Sequence, residues 1–177
     1  YANQESDKTY ISEAESAGIK VFTYSDAKNF DNEFPNSKKR TPEILTSYLP
    51  KRLVRDLGPL TRAIDTLNPG VVHLWQDNTN IIGGLAVQWA GAPVAIMSCR
   101  SMRPDAKTML HIRNRQYLLR GYLALLSDPR FSLVVNSQAG ATSYMDWTGL
   151  KNDTIRVIRN GYDFEKFTSK DRNTVDN

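Results

Sequence analysis

The sequence predicts an α/β fold: a Rossmann-like open parallel sheet with helices on both faces. Three observations carry that expectation. Short β-rich runs recur at Lys20–Tyr24, Val71–Trp75, Val94–Cys99, Phe131–Val135 and Ile155–Ile158. Segments with helical spacing of apolar residues separate them. The runs are also close to continuously apolar, as in VAIMSC at 94–99, the pattern of strands covered on both sides rather than on one. Right-handed crossovers would then wind such strands into a doubly wound layer.

The elements follow in order. Gly18 has the place of a helix C-cap, and Lys20–Tyr24 (KVFTY) is the first expected strand. Ser25–Thr41 holds Asn, Asp, Pro and the cluster Lys38-Lys39-Arg40, and reads as a long loop. Apolar residues at 53, 54, 57, 60, 64 and 67 make Leu53–Leu67 a helix that stops at Asn68-Pro69-Gly70. A strand over Val71–Trp75 leads to a helix over Thr79–Ala90, capped by Asn78 or Thr79 and ended by Gly91-Ala92-Pro93. After the strand Val94–Cys99 and a loop Ser101–Lys107, a long helix Thr108–Leu126 is expected, broken or kinked near Gly121 and closed by Ser127-Asp128-Pro129. Phe131–Val135, a helix over Gln138–Trp147 ending at Gly149, and Ile155–Ile158 complete the pattern before a polar end at Thr168–Asn177.

Composition narrows the class. The 177 residues suit one domain, and 40% apolar with 24% charged residues suits a soluble globular one. No run reaches the roughly 18 apolar residues of a membrane span. The first residues lack the basic-then-apolar layout of a signal peptide, so a cytoplasmic location is expected. One cysteine, Cys99, excludes an intrachain disulfide, and with only His73 and His111 no metal site is expected. A net charge of +4 permits an anionic ligand without requiring nucleic acid.

In an open parallel sheet, ligands bind beyond the carboxyl ends of the strands. The residues directly after each strand are therefore the candidates: 76–80, 100–103, 136–138 and 159–161. Asp77, Asn78, Thr79 and Asn80 open a helix, where free N–H groups and the positive end of the dipole suit an anion or sugar hydroxyls. Gly83 and Gly84 inside that helix suggest close packing or close approach of a ligand. Arg100 and Arg103 are delivered to the crevice by the third strand, and a guanidinium there matches a phosphate or carboxylate. Arg113, Arg115 and Arg120 read as a solvated helix face. His73, between Val72 and Leu74, reads as a core histidine, and Cys99 as inert without a paired histidine. Neither G-x-G-x-x-G nor G-x-x-x-x-G-K-[ST] occurs, so dinucleotide and P-loop chemistry lose their main support.

Two segments carry a family likeness. Leu133-Val134-Val135-Asn136-Ser137-Gln138 is followed by Trp147-Thr148-Gly149-Leu150 and then by Ile158-Arg159-Asn160-Gly161-Tyr162-Asp163 running on to Phe167. Upstream stand Pro69-Gly70-Val71-Val72-His73-Leu74-Trp75, then Gln76–Gly84 and Ser98-Cys99-Arg100-Ser101. Together, over about residues 18–167, they resemble the N-terminal domain of group 1 (family 4) GT-B glycosyltransferases, in particular a bacterial branch that builds capsular and extracellular polysaccharides.

The resemblance implies an acceptor-side domain at 1–167, lacking the family's first strand, with a linker or tail at 168–177. It implies a retaining transferase that moves a sugar from a nucleotide-sugar donor to a glycan or lipid-linked acceptor without a cofactor. The family's C-terminal domain, with its E-x7-E carboxylates, would hold the donor, so this chain alone is expected to be inactive. Where the family carries a histidine near the end of the "PVVxTxH" strand, this chain has Cys99 and Arg100. Further expectations are peripheral contact with anionic lipid at the inner face of the membrane, no nucleic acid partner, and, from an exposed strand edge, a homodimer or a rearranged sheet. The alternative is a non-enzymatic module binding an anionic polymer through the Arg100–Arg120 basic stretch.

Overall fold

The computed structural model describes residues 4–22, 48–104, 116–151 and 154–162. Nine elements occur among them: α1 (Gln4–Ser16), α2 (Lys51–Leu67), β1 (Val72–Trp75), α3 (Asp77–Ala90), β2 (Ala95–Cys99), α4 (Gln116–Leu126), β3 (Phe131–Val135), α5 (Gln138–Thr148) and β4 (Ile155–Val157). They divide between two compact units, Tyr1–Val72 with Ile82–Pro93, and His73–Ile81 with Val94–Asn177.

In the first unit, α2 starts at Pro50, whose carbonyl accepts from the Leu53 and Val54 N–H groups. Proline suits this end, having no N–H to leave unpaired. The helix ends at Asn68 in the left-handed region (φ 44°), whose N–H returns to the Ile64 carbonyl. Asparagine tolerates that conformation better than most side chains. Leu53 and Leu57, one turn apart, are the buried residues of α2. Ile82–Val87 of α3 are buried without a break, including Gly83 and Gly84.

The second unit holds the sheet. Its order is β1-β2-β3-β4, with β2, β3 and β4 parallel, so the expected α/β architecture of a parallel sheet flanked by helices is present. The strands follow one another sequentially, and the reversal of winding that a doubly wound sheet needs is not among them. Register places Met97 beside Leu133, Cys99 beside Val135, and Leu133 beside Ile155. These residues are buried and share the face on which α4 and α5 lie, since the Cys99 sulfur meets the Tyr122 hydroxyl at 3.1 Å. The other face carries His73, Ile96, Ser98, Val134 and Arg156, and only Ser98 among them is buried.

Three expectations need correction. Lys20–Phe22 are not in a strand, and Thr23 and Tyr24 lie outside the described residues, as do the long loop at 25–41 and the polar end. The expected break near Gly121 does not occur: α4 runs through it without interruption. Its glycine serves packing instead, because a Cβ there would come within 2.8 Å of the Ile81 side chain. The last strand stops at Val157, one residue early, although the Ile158 N–H still reaches the Val135 carbonyl at 2.9 Å.

Candidate functional site

The end of β1 sets the site's geometry. Gln76 sits in the left-handed region (φ 72°), uncommon for a non-glycine side chain, and turns the chain directly from β1 into α3. Its N–H continues the ladder to the Ser98 carbonyl at 2.9 Å, and its carbonyl accepts from the Asn80 N–H at 2.7 Å. The turn sends side chains to two places. Residues 73 and 75 face one side of the sheet, while Asp77 and Asn80 enter the layer beneath the other.

That layer is a polar knot in an otherwise apolar core. Asp77 Oδ1 accepts from the Tyr144 hydroxyl at 2.7 Å and the Tyr122 hydroxyl at 2.9 Å. The Asn80 amide, fully buried, lies 3.0 Å from the Tyr122 oxygen, 3.1 Å from the Ser98 carbonyl and 3.2 Å from the Cys99 sulfur. Tyr122, Tyr144 and Trp147 pack edge to face, with centroids 5.6–6.0 Å apart. Burial, and then the Asp77 charge, push the Cys99 thiol up to about 11 from its ordinary 9.0. Burial first, with the nearby Cys99 and Asp77 second, also holds the Tyr122 and Tyr144 hydroxyls above their usual range. All of these groups stay protonated near neutrality and act as hydrogen-bonding structure rather than as nucleophiles.

On the opposite face lies a cavity of ≈ 530 Å³ at the carboxyl ends of the strands. His73, Trp75, Ile96 and Ser98 form its floor, Arg100 and Asn136 its rim, and Ile158–Tyr162 its far wall. His73 Nε2 and Ser98 Oγ are 2.6 Å apart, and the His73 and Trp75 rings stack at 4.7 Å with a 38° tilt. The Arg100 guanidinium sits 4.6 Å from the Trp75 ring centroid, a cation–π contact that holds the arginine at the mouth. No carboxylate among the described residues lines the cavity. Among the described residues no group of three or more His, Cys, Asp or Glu side chains comes together as a metal-ligand set.

The six expected site residues therefore separate. Arg100 lines the cavity. Asp77 and Asn80 are committed to the buried knot, and Asn78 Oδ1 accepts from the Tyr117 hydroxyl at 2.7 Å. Thr79 is exposed on α3, and Arg103 is half-buried with its N–H 3.2 Å from Ser143 Oγ. Asn136 and residues 159–161, in the segments after β3 and β4, do reach the cavity. Sequence reasoning misplaced His73, which is not a core histidine, and passed over Trp75. The available signal was alternation: His73 and Trp75 are large and polar or amphipathic at i and i+2, the spacing of one sheet face.

An open parallel α/β sheet with a basic, aromatic-lined cavity beyond its strand ends is the layout of a Rossmann-like ligand-binding domain. The sequence profile of Glycosyltransferase Family 4 matches residues 11–166, most of the chain, and the chain belongs to that family. Membership brings a glycosyltransferase-type function, with nucleotide-sugar and acceptor substrates in general terms. No curated protein and no solved structure matches the chain significantly. No helix among the described residues is long and apolar enough to cross a membrane.

Proposed function

We propose that this chain is the acceptor-binding half of a retaining sugar transferase that extends a glycan or lipid-linked acceptor in bacterial capsular or extracellular polysaccharide synthesis. The observation that carries the reading is the cavity on the sheet face that bears His73 and Ser98, lined by Trp75, His73 and Arg100 at the strand ends, within a Family 4 domain. Aromatic rings suit the apolar face of a pyranose, and the Asn136, Asn160 and Ser98 polar groups suit its hydroxyls. Glycosyl transfer asks this half chiefly to hold the acceptor hydroxyl in attack geometry, and asks the donor-binding half to stabilise the departing diphosphate. The reaction takes place on the cytoplasmic side, at the inner membrane face when the acceptor is lipid-linked.

The test is acceptor-dependent release of nucleoside diphosphate by the full-length protein. Trp75→Ala and Arg100→Ala should each lower kcat/KM by roughly tenfold or more, the scale of one lost positioning contact. Arg120→Ala, on the exposed side of α4, should change it by less than about threefold. Equal effects at Arg100 and Arg120 would remove the cavity from the reaction.

A further inference from the structure

We infer that the acceptor taken by this cavity is an anionic saccharide, a sugar ring carrying or adjoining a carboxylate or phosphate. The inference rests on the acceptor-site reading and names its substrate class. Two arginines reach the cavity from different elements, Arg100 directly after β2 and Arg159 two residues after β4. Among the described residues neither has an ion-pair partner and no Asp or Glu lines the space between them. Arg156, the register partner of Val134, adds a third exposed guanidinium-bearing residue on the same face of the sheet. The carboxylate placed closest in sequence to the cavity floor, Asp77, instead accepts two tyrosine hydroxyls in the buried layer. Like charges gathered at one concavity whose described lining holds no carboxylate favour an anion there, and low-dielectric walls concentrate their field.

The shape of the site separates a saccharide from a bare anion. Arg100 does not stand free in solvent; Trp75 holds it 4.6 Å from the ring centroid. Trp75 is nonetheless 44% exposed, leaving ring surface for a sugar beside the guanidinium. Arg100 and Arg159 carry fork geometry suited to a carboxylate or phosphate, and the asparagine amides Asn136 and Asn160 add donors and acceptors for ring hydroxyls. A ring stacked on Trp75 with its anionic substituent turned toward the arginines uses every feature of the wall.

Ligand titrations followed by protein NMR on the chain test this, with methyl β-D-glucuronide, glucose 1-phosphate, methyl β-D-glucoside, inorganic phosphate and pyrophosphate as probes. At least one of the two anionic saccharides should bind about tenfold or more tightly than the neutral glucoside, a preference weakening as salt rises. A stronger response to the glucuronide identifies a uronate-type acceptor, and a stronger response to glucose 1-phosphate a phosphate-bearing one. Arg159→Gln and Arg100→Gln should each remove most of that preference while the glucoside still binds, which also shows that the variants are folded. Trp75→Leu should weaken all three saccharides together. Equal affinity for glucoside and both anionic sugars overturns the inference. So does binding of phosphate or pyrophosphate as tight as that of the sugars, which would mark a plain anion site. Sugar transfer by the full-length protein to a neutral acceptor only, without such a preference, would overturn the anionic class and leave the acceptor-site reading standing.

Discussion

Asp77 holds together a layer that contains no other carboxylate in hydrogen-bond contact with Tyr122 or Tyr144 among the described residues. Replacing it by alanine removes the shared acceptor of two buried hydroxyls, of which Tyr122 keeps Asn80 and Cys99 as partners, and each such loss costs about 1–3 kcal/mol. Asp77→Ala should therefore lower stability by about 3 kcal/mol in urea unfolding, and Asp77→Asn, which keeps one acceptor oxygen, by less. Cys99 gives a pH signature in the same layer. Its thiol is raised in the folded chain, so the neutral form favours folding. That contribution is complete below about pH 9 and is lost as the pH rises toward about 11, where the folded thiol itself ionises. Two units correspond to about 3 kcal/mol. Urea midpoints should fall steeply between pH 9 and 11, and Cys99→Ala should flatten the part of that fall due to the thiol. The raised tyrosines act in the same direction at higher pH. At this scale the sequence was half legible. The position of Arg100 after a strand announced its place, but Asp77 and Asn80 look the same in sequence whether they face a ligand or a tyrosine pair. Only the partners on α4 and α5, some 40 to 70 residues away, decide it.

Among elements, periodicity and caps located the helices and strands of the second unit to within a residue or two, apart from the start of α4, since 108–115 of the expected helix lie outside the described residues. β3 runs over Phe131–Val135 as expected, and α5 over Gln138–Thr148 with Ser137 Oγ accepting from the Gly140 N–H. Gly149, at φ 70°, closes α5 as its sequence position announced. Gly121 shows why the same residue type misled elsewhere. A mid-helix glycine signals either a bend or a close neighbour, and the sequence does not say which neighbour exists. Here Ile81 occupies the space, so Gly121→Ala should cost about 1–3 kcal/mol by overpacking rather than stabilise α4 by its better helix propensity. Thermal unfolding measures this. Pairing the change with Ile81→Val, which trims the contacting side chain, should recover part of the loss, whereas an additive double variant would mean that the contact is not the cause.

For the whole molecule, the α/β class was readable because apolar runs alternating with helical segments leave few other packings. The cavity on the face that carries Ile96 and Val134 was not, because among the described residues both are apolar and half-exposed, and an apolar strand residue reads as covered. The cavity follows from that face and from the wall at 158–162, neither of which a single strand's pattern encodes. The same geometry bears on activity. The cavity lies on one side of a sheet, with arginines but no carboxylate among the described residues that line it. Transfer needs donor and acceptor held about 3–3.5 Å apart together with groups that stabilise a leaving diphosphate, and the Family 4 resemblance assigns the latter to a second domain. Residues 1–177 by themselves should therefore bind acceptor weakly, since an open half-cleft encloses little of a ligand, and release no nucleoside diphosphate from any nucleotide sugar. A version carrying the donor-binding domain should show acceptor-dependent release. A coupled assay across a panel of donors, run on both proteins, decides it: turnover by residues 1–177 would place the donor as well as the acceptor on this domain.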